Sequence, residues 1–160
     1  MNALTFDTAF ERLLGHEGKY SCDPKDRGGE THWGICKRSY PAVDIKNLTM
    51  QSAKEIYYRD FWKPLGDAHP AIKFQTFDFA VNSGINTAIR KLQAAIGVAD
   101  DGHWGPLSAA ALNAMDVSDV IMRFTAERLD FWRKLSTWPT YGSGWAGRAA
   151  TNLRYAAKDN

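Results

Sequence analysis

Apolar residues recur at helical spacing through most of the chain. Phe6, Phe10, Leu13 and Leu14 mark one face of a helix over residues 5–15, with Thr5 placed to cap it and Gly15 to stop it. Residues 16–36 break the pattern. Asp23-Pro24 and Gly28-Gly29 punctuate a polar, turn-rich stretch that reads as a loop or short β-hairpin, with Thr31 to Cys36 able to form a short strand. Helical spacing then resumes. Thr49 caps a helix running to about Trp62 and ended by Pro64, and Pro70 opens another through Phe74, Phe77 and Val81 that breaks at Asn82-Ser83-Gly84. A third helix spans about Thr87 to Ile96 before Gly97, and Pro106 opens a short Ala-rich one after the Asp101-Gly102 turn. Ser118 caps a long helix with Val120, Ile121, Phe124, Leu129 and Trp132 on its apolar stripe. Residues 136–144 read as a turn-rich break before a last helix from Trp145 to about Lys158. The pattern predicts one mainly α domain with a small β-hairpin near its start, and no internal repeat.

Composition narrows the class. With 160 residues, 44% hydrophobic and 24% charged, the chain can bury a core without disulfide staples. No apolar run approaches a membrane span, so no integral membrane segment is expected. A net charge of +2 is too mild to argue for a nucleic-acid partner. The first residues show no positive n-region followed by an apolar h-region, so the protein is expected to be made in a cytoplasm without a signal peptide. Cys22 and Cys36 lack the spacing of a zinc site and read as free thiols, or as a bridge formed only in an oxidising compartment. His16, His32, His69 and His103 show no HExxH spacing, so neither a metal nor any other cofactor is expected. The cations Arg123, Arg128, Arg133, Lys134, Arg148, Arg154 and Lys158 read as solvated helix faces, or as a basic face for anionic envelope polymers.

Candidate chemistry concentrates after the first helix. Glu17 sits just past its apolar stripe, where partial burial would raise a carboxyl pKa and keep it protonated near neutrality. Asp26 follows nine residues later on the Gly-rich turn, and Thr31 five residues after that. One protonated and one ionised carboxyl are the minimal equipment for glycoside hydrolysis. The same residues also suit a helix cap, plain turn chemistry and a strand position.

The run Glu17-Gly18, Tyr20, Asp23-Pro24, Asp26, Gly28-Gly29, Thr31 and Gly34-Ile35 resembles the N-terminal signature of glycoside hydrolase family 108, the N-acetylmuramidases of phages and bacteria. That family usually has a second glycine where this chain has Lys19. Phe77 to Gly84 resembles the end of the family's central helix, and Ala88–Leu112 its peptidoglycan-associated region. The resemblance implies a lysozyme-like α-rich fold. It implies a single domain over 1–160, in which 1–84 carries the catalytic motif and 85–160 forms the helical part resembling a peptidoglycan-associated region. It further implies an endolysin that cuts the β-1,4 bond between N-acetylmuramic acid and N-acetylglucosamine during host cell lysis. Glu17 would be the general acid, Asp26 the stabiliser of the oxocarbenium-like transition state or orienter of water, and Thr31 its assistant.

Three more residues are candidates for substrate binding. Asn82 could hold an N-acetyl group or form a left-handed helix C-cap. Tyr20 could line the cleft or pack beneath Glu17, and Trp33 could stack on a sugar or fill core. The expected partners are glycan strands of peptidoglycan and a separate holin-type lysis helper for export to the periplasm or cell wall. The chain itself is expected to be a monomer. A lytic transglycosylase cutting the same bond and a non-catalytic peptidoglycan-binding module are the competing readings.

Overall fold

The computed structural model describes residues 4–14, 18–25 and 27–160. Its helices are α1 (Phe6–Leu14), α2 (Met50–Tyr57), α3 (Pro70–Ser83), α4 (Ile85–Ile96), α5 (Pro106–Asn113), α6 (Val117–Arg133) and α7 (Trp138–Asp159). Two short antiparallel strands, β1 (Thr31–His32) and β2 (Ile35–Cys36), pair Thr31 with Cys36 and His32 with Ile35. The mainly α fold with one small hairpin is therefore present. The stretch Thr31 to Cys36 is two strands rather than one, because Trp33 and Gly34 both take positive φ, 53° and 78°. That is the backbone of a tight two-residue hairpin turn. Gly34 adopts it without strain. Trp33 is held there by its indole Nε1, which donates to the Leu48 carbonyl at 3.0 Å, and by its own carbonyl, which accepts from the Tyr57 hydroxyl at 2.8 Å.

The spine of the molecule is α3. Every residue from Phe74 to Ala80 is buried, so this helix is enclosed on all sides rather than amphipathic. It separates two apolar clusters. Phe74 and Phe77 join Phe10 and Leu13 of α1, Ile35 of the hairpin, and Ile56 and Tyr57 of α2. Ile72, Phe79 and Ala80 join Leu92 of α4 and Phe124 and Trp132 of α6. Local capping follows from the sequence. The Thr49 hydroxyl accepts from Ser52 N at 3.1 Å, and Gly97 closes α4 in the left-handed region at φ 75°. His69 adds a cap of its own, its Nδ1 accepting from Ala71 N at 3.3 Å.

Several boundaries differ from the sequence expectation. The helix from Thr49 does not run on as α-helix to Trp62. It changes after Tyr57 into a π-turn over Tyr58–Trp62, in which Lys63 N–H reaches the Tyr58 carbonyl, then into a 3₁₀ turn that contains Pro64. The fourth helix begins at Ile85, directly after Gly84 (φ 89°). The cap of α6 is Asp116, whose carboxylate accepts from Ser118 N and Asp119 N, rather than Ser118. On α6 the buried positions are 120, 121, 124, 128 and 132, with 120, 124, 128 and 132 one per turn, so Arg128 faces inward and Leu129 is 37% exposed. The last helix starts at Trp138, seven residues before Trp145. Glycine is a weak helix former, but Gly142 is buried at the place where a Cβ would stand 2.5 Å from the Trp138 ring. The ring needs that space, and tertiary packing overrides propensity.

The inward Arg128 is part of a buried ionic knot with Arg148, so for these two cations the reading as a solvated or basic helix face does not hold. Asp78 on α3 is fully buried. Its carboxylate accepts from Arg128 Nη2 at 2.7 Å, from Arg148 Nε and Nη2 at 2.9–3.1 Å, and from Asn152 Nδ2 at 2.6 Å. Burial pushes the Asp78 carboxyl upward, but the two guanidinium groups outweigh it and hold it below its usual range. Burial lowers Arg128 to about 10, which leaves it charged at neutral pH. The knot ties α3 to both α6 and α7. At the opposite end, Arg12 of α1 pairs with Asp159 of α7 at 2.5 Å and lies over the Tyr155 ring at 4.1 Å.

Candidate active site

A cleft of about 650 Å³ opens between the hairpin and the far end of α3. One wall is Gly34, Ile35 and Cys36 of the hairpin with Ser39 and Tyr40 beyond it. A second is Tyr57, Asp60 and Phe61, and a third is Ala80 to Asn82 with Gly84 to Asn86 at the α3–α4 junction. The volume falls within the roughly 300–1,000 Å³ of ligand sites, and the lining mixes apolar walls with a few polar groups.

The π-turn shapes the second wall. Its one extra residue re-phases the helix, so that Asp60 and Phe61 reach the cleft while Trp62 turns into the core. The Asp60 carboxylate accepts from the Tyr40 hydroxyl at 2.9 Å and from Arg59 at 2.6 and 2.8 Å. The Arg59 hydrogen bonds outweigh burial and, with Tyr40, keep Asp60 below the ordinary carboxylate range. Burial, followed by the bond to Asp60, raises the Tyr40 phenol. This wall presents an ionised acceptor next to a neutral hydroxyl. Neither residue stood out in the sequence, because no spacing signal marks a π-turn.

The sequence candidates are distributed as follows. Glu17 and Asp26 lie outside the described residues. Thr31 is the middle member of a row. It exchanges both backbone hydrogen bonds with Ser21 at 2.8 Å and stands opposite Cys36 on its other side. Residues directly opposite in a ladder share a face, so Thr31 shares one with Cys36, which lines the cleft; Thr31 itself is not among the lining residues. Asn82 lines the cleft, within the last turn of α3. It is not a left-handed C-cap: among the described residues only Trp33 has positive φ besides glycines, and Gly84 ends the helix. Tyr20 is 37% exposed and outside the cleft lining. Its hydroxyl donates to Glu30 at 2.8 Å, which raises the phenol to about 12, and its ring meets His32 edge-on. Trp33 is also absent from the lining. Its ring stacks on His32 at 5.1 Å and packs against the cluster around α1 and α2. Cys22 and Cys36 are both free thiols. No helix among the described residues is long and apolar enough to cross a membrane.

An α-rich fold enclosing a central helix, with a small hairpin bordering a cleft of mixed polarity, defines the lysozyme-like class of glycan-cleaving proteins. The comparisons agree. The family model described as Glycosyl hydrolase 108 matches residues 10–84. The solved structure of SagA from Brucella abortus aligns with a TM-score of 0.88 and 31% identity, covering 96% of this chain and 94% of that one. No curated protein matches. The chain belongs to the glycosyl hydrolase 108 family, and its function is lysozyme-like and peptidoglycan-degrading.

Proposed function

We propose that the protein is an N-acetylmuramidase that hydrolyses the β-1,4 bond between N-acetylmuramic acid and N-acetylglucosamine. Glu17 gives its proton to the glycosidic oxygen as the C1–O bond breaks. Asp26 faces the positive charge that develops on the sugar, and Thr31 helps to orient the attacking water. The water's oxygen adds to C1 and its proton is taken up by a carboxylate. One water is consumed, and a reducing N-acetylmuramic acid end is released. Asn82 holds an acetamido group in the cleft, while Tyr20 and Trp33 brace the hairpin beside it.

Residues 1–160 act as one domain, with the acid motif in 1–84 and a helical supporting part in 85–160. The protein works as a monomeric endolysin on glycan strands in the periplasm or cell wall, reached through a holin-type helper. The observation that carries this reading is the coincidence of the Glu17-x8-Asp26-x4-Thr31 spacing with a cleft beside the row that holds Thr31.

The test is mass spectrometry of soluble fragments from purified peptidoglycan, with wild type and Glu17→Gln side by side. Fragments ending in reducing N-acetylmuramic acid, absent with the variant, are expected. Anhydro ends would instead assign a lytic transglycosylase, and no fragments from either protein would leave a binding module.

A further inference from the structure

Asn82 is gripped from the protein side. The Trp132 indole Nε1 donates to Asn82 Oδ1 at 3.0 Å, and the Ser83 hydroxyl donates to the same oxygen at 2.7 Å. An indole N–H can donate and cannot accept, so the amide atom that meets it must be the oxygen. The orientation of the carboxamide is thereby decided by chemistry. Its Nδ2, with two hydrogens, has no protein acceptor among the described residues, and Asn82 lines the cleft. At this point the cleft presents a donor.

Trp132 is itself immobilised. It is fully buried, with Trp145 stacked on it at 5.6 Å and 22° and the edge of Phe79 at 5.9 Å. The Arg128 guanidinium lies 4.4 Å from its ring centre, anchored in turn by Asp78, one turn before Asn82 on α3. A chain of contacts thus runs from the buried ion pair through the indole to a side chain in the cleft.

We propose that Trp132 is a positioning residue that fixes Asn82 as a hydrogen-bond donor, so that the cleft selects sugars carrying an acetamido carbonyl over their de-N-acetylated forms. An acetamido group offers a carbonyl acceptor to Asn82 Nδ2. A free amino group is protonated and offers only donors, leaving two donors face to face. The inference rests on the reading that the cleft takes N-acetylated glycan.

The test compares kcat and KM on native peptidoglycan and on the same material chemically de-N-acetylated. Wild type is expected to prefer the native form. Trp132→Phe keeps an aromatic ring but loses the N–H. It should reduce that preference by about three- to tenfold, the worth of one oriented hydrogen bond, through KM with kcat little changed. Because Trp132 is a core residue, a second variant carries 3-benzothienylalanine at position 132, an isostere with sulfur in place of N–H, which should give the same loss with thermal stability retained. Asn82→Asp keeps the acceptor for Trp132 but removes the donor, and should abolish the preference. If wild type discriminates and the position-132 isostere discriminates equally well, the proposal is overturned while the reading of the cleft stands. If wild type cleaves both substrates equally, or neither, that reading fails and the proposal falls with it.

Discussion

Replacing Asp78 by asparagine keeps the shape of the side chain and deletes one negative charge from between Arg128 and Arg148. Asp78 is fully buried and the Arg128 side chain is 3% exposed, so water cannot take over the lost role for that pair. Removing one partner of a buried ion pair costs about 3–5 kcal/mol, because the remaining charge stays desolvated and uncompensated. Arg148 is 10% exposed and reaches solvent somewhat better, which favours the lower part of that range. Against a total stability of about 5–15 kcal/mol this is a large fraction. For a chain of this size it corresponds to a fall in Tm of roughly 6–20 °C.

Urea unfolding of wild type and Asp78→Asn at neutral and acid pH would measure it, and the sign of the pH effect follows from the lowered carboxyl. A group whose folded pKa lies below its unfolded value stabilises above the unfolded pKa, and loses that contribution as pH falls through the folded one. The gap between the two proteins should therefore be full at neutral pH and begin to close only below about pH 4. Replacing the pair together, Asp78→Leu with Arg128→Met, should cost less than Asp78→Leu alone. A loss under about 1 kcal/mol, or a gap unchanged from neutral to strongly acid pH, would mean that the Asp78 charge does not hold the knot together.

Three further outcomes are expected. Thr49→Ala removes the hydroxyl that caps α2 and should cost about 1 kcal/mol in chemical denaturation. Gly142→Ala improves helix propensity yet drives a methyl into the Trp138 ring. It should lower stability by about 1–3 kcal/mol and alter tryptophan fluorescence, whereas a rise in Tm would mean that the ring yields freely. The Tyr20 phenol should ionise near 12 in an ultraviolet titration, and Glu30→Gln should bring it down toward the ordinary value near 10.

Features governed by a few adjacent residues were legible from the chain alone. The Thr49 cap, the Gly97 stop, Pro70 at a helix start and the apolar face of α1 depend on neighbours within a turn or two, and their residue types dictate the backbone locally. The family motif after α1 was legible for the same reason, as a pattern of residue types over a short span. One clue was present but indirect: Asp78 stands between Phe77 and Phe79 in the helix that becomes buried on all sides, and a carboxylate so placed has to be paired.

The partners of Asp78 lie 50, 70 and 74 positions away, and only the packing of α6 and α7 against α3 selects them. The same packing turns Arg128 inward in place of Leu129, and extends α7 back through Gly142 to seat Trp138. It also brings the Trp132 indole to Asn82, 50 positions away, and so decides which end of that amide faces the cleft. The π-turn that delivers Asp60 and Phe61 to the cleft was not legible in the sequence; its Phe61 packs against both apolar clusters, which meet only in the folded chain. Local chemistry thus determined several caps and stops, such as Thr49 and Gly97, and where the family motif stands in the chain. Long-range packing decided which charges are buried and which polar atoms the cleft presents, because both depend on groups that meet only when α3 is enclosed.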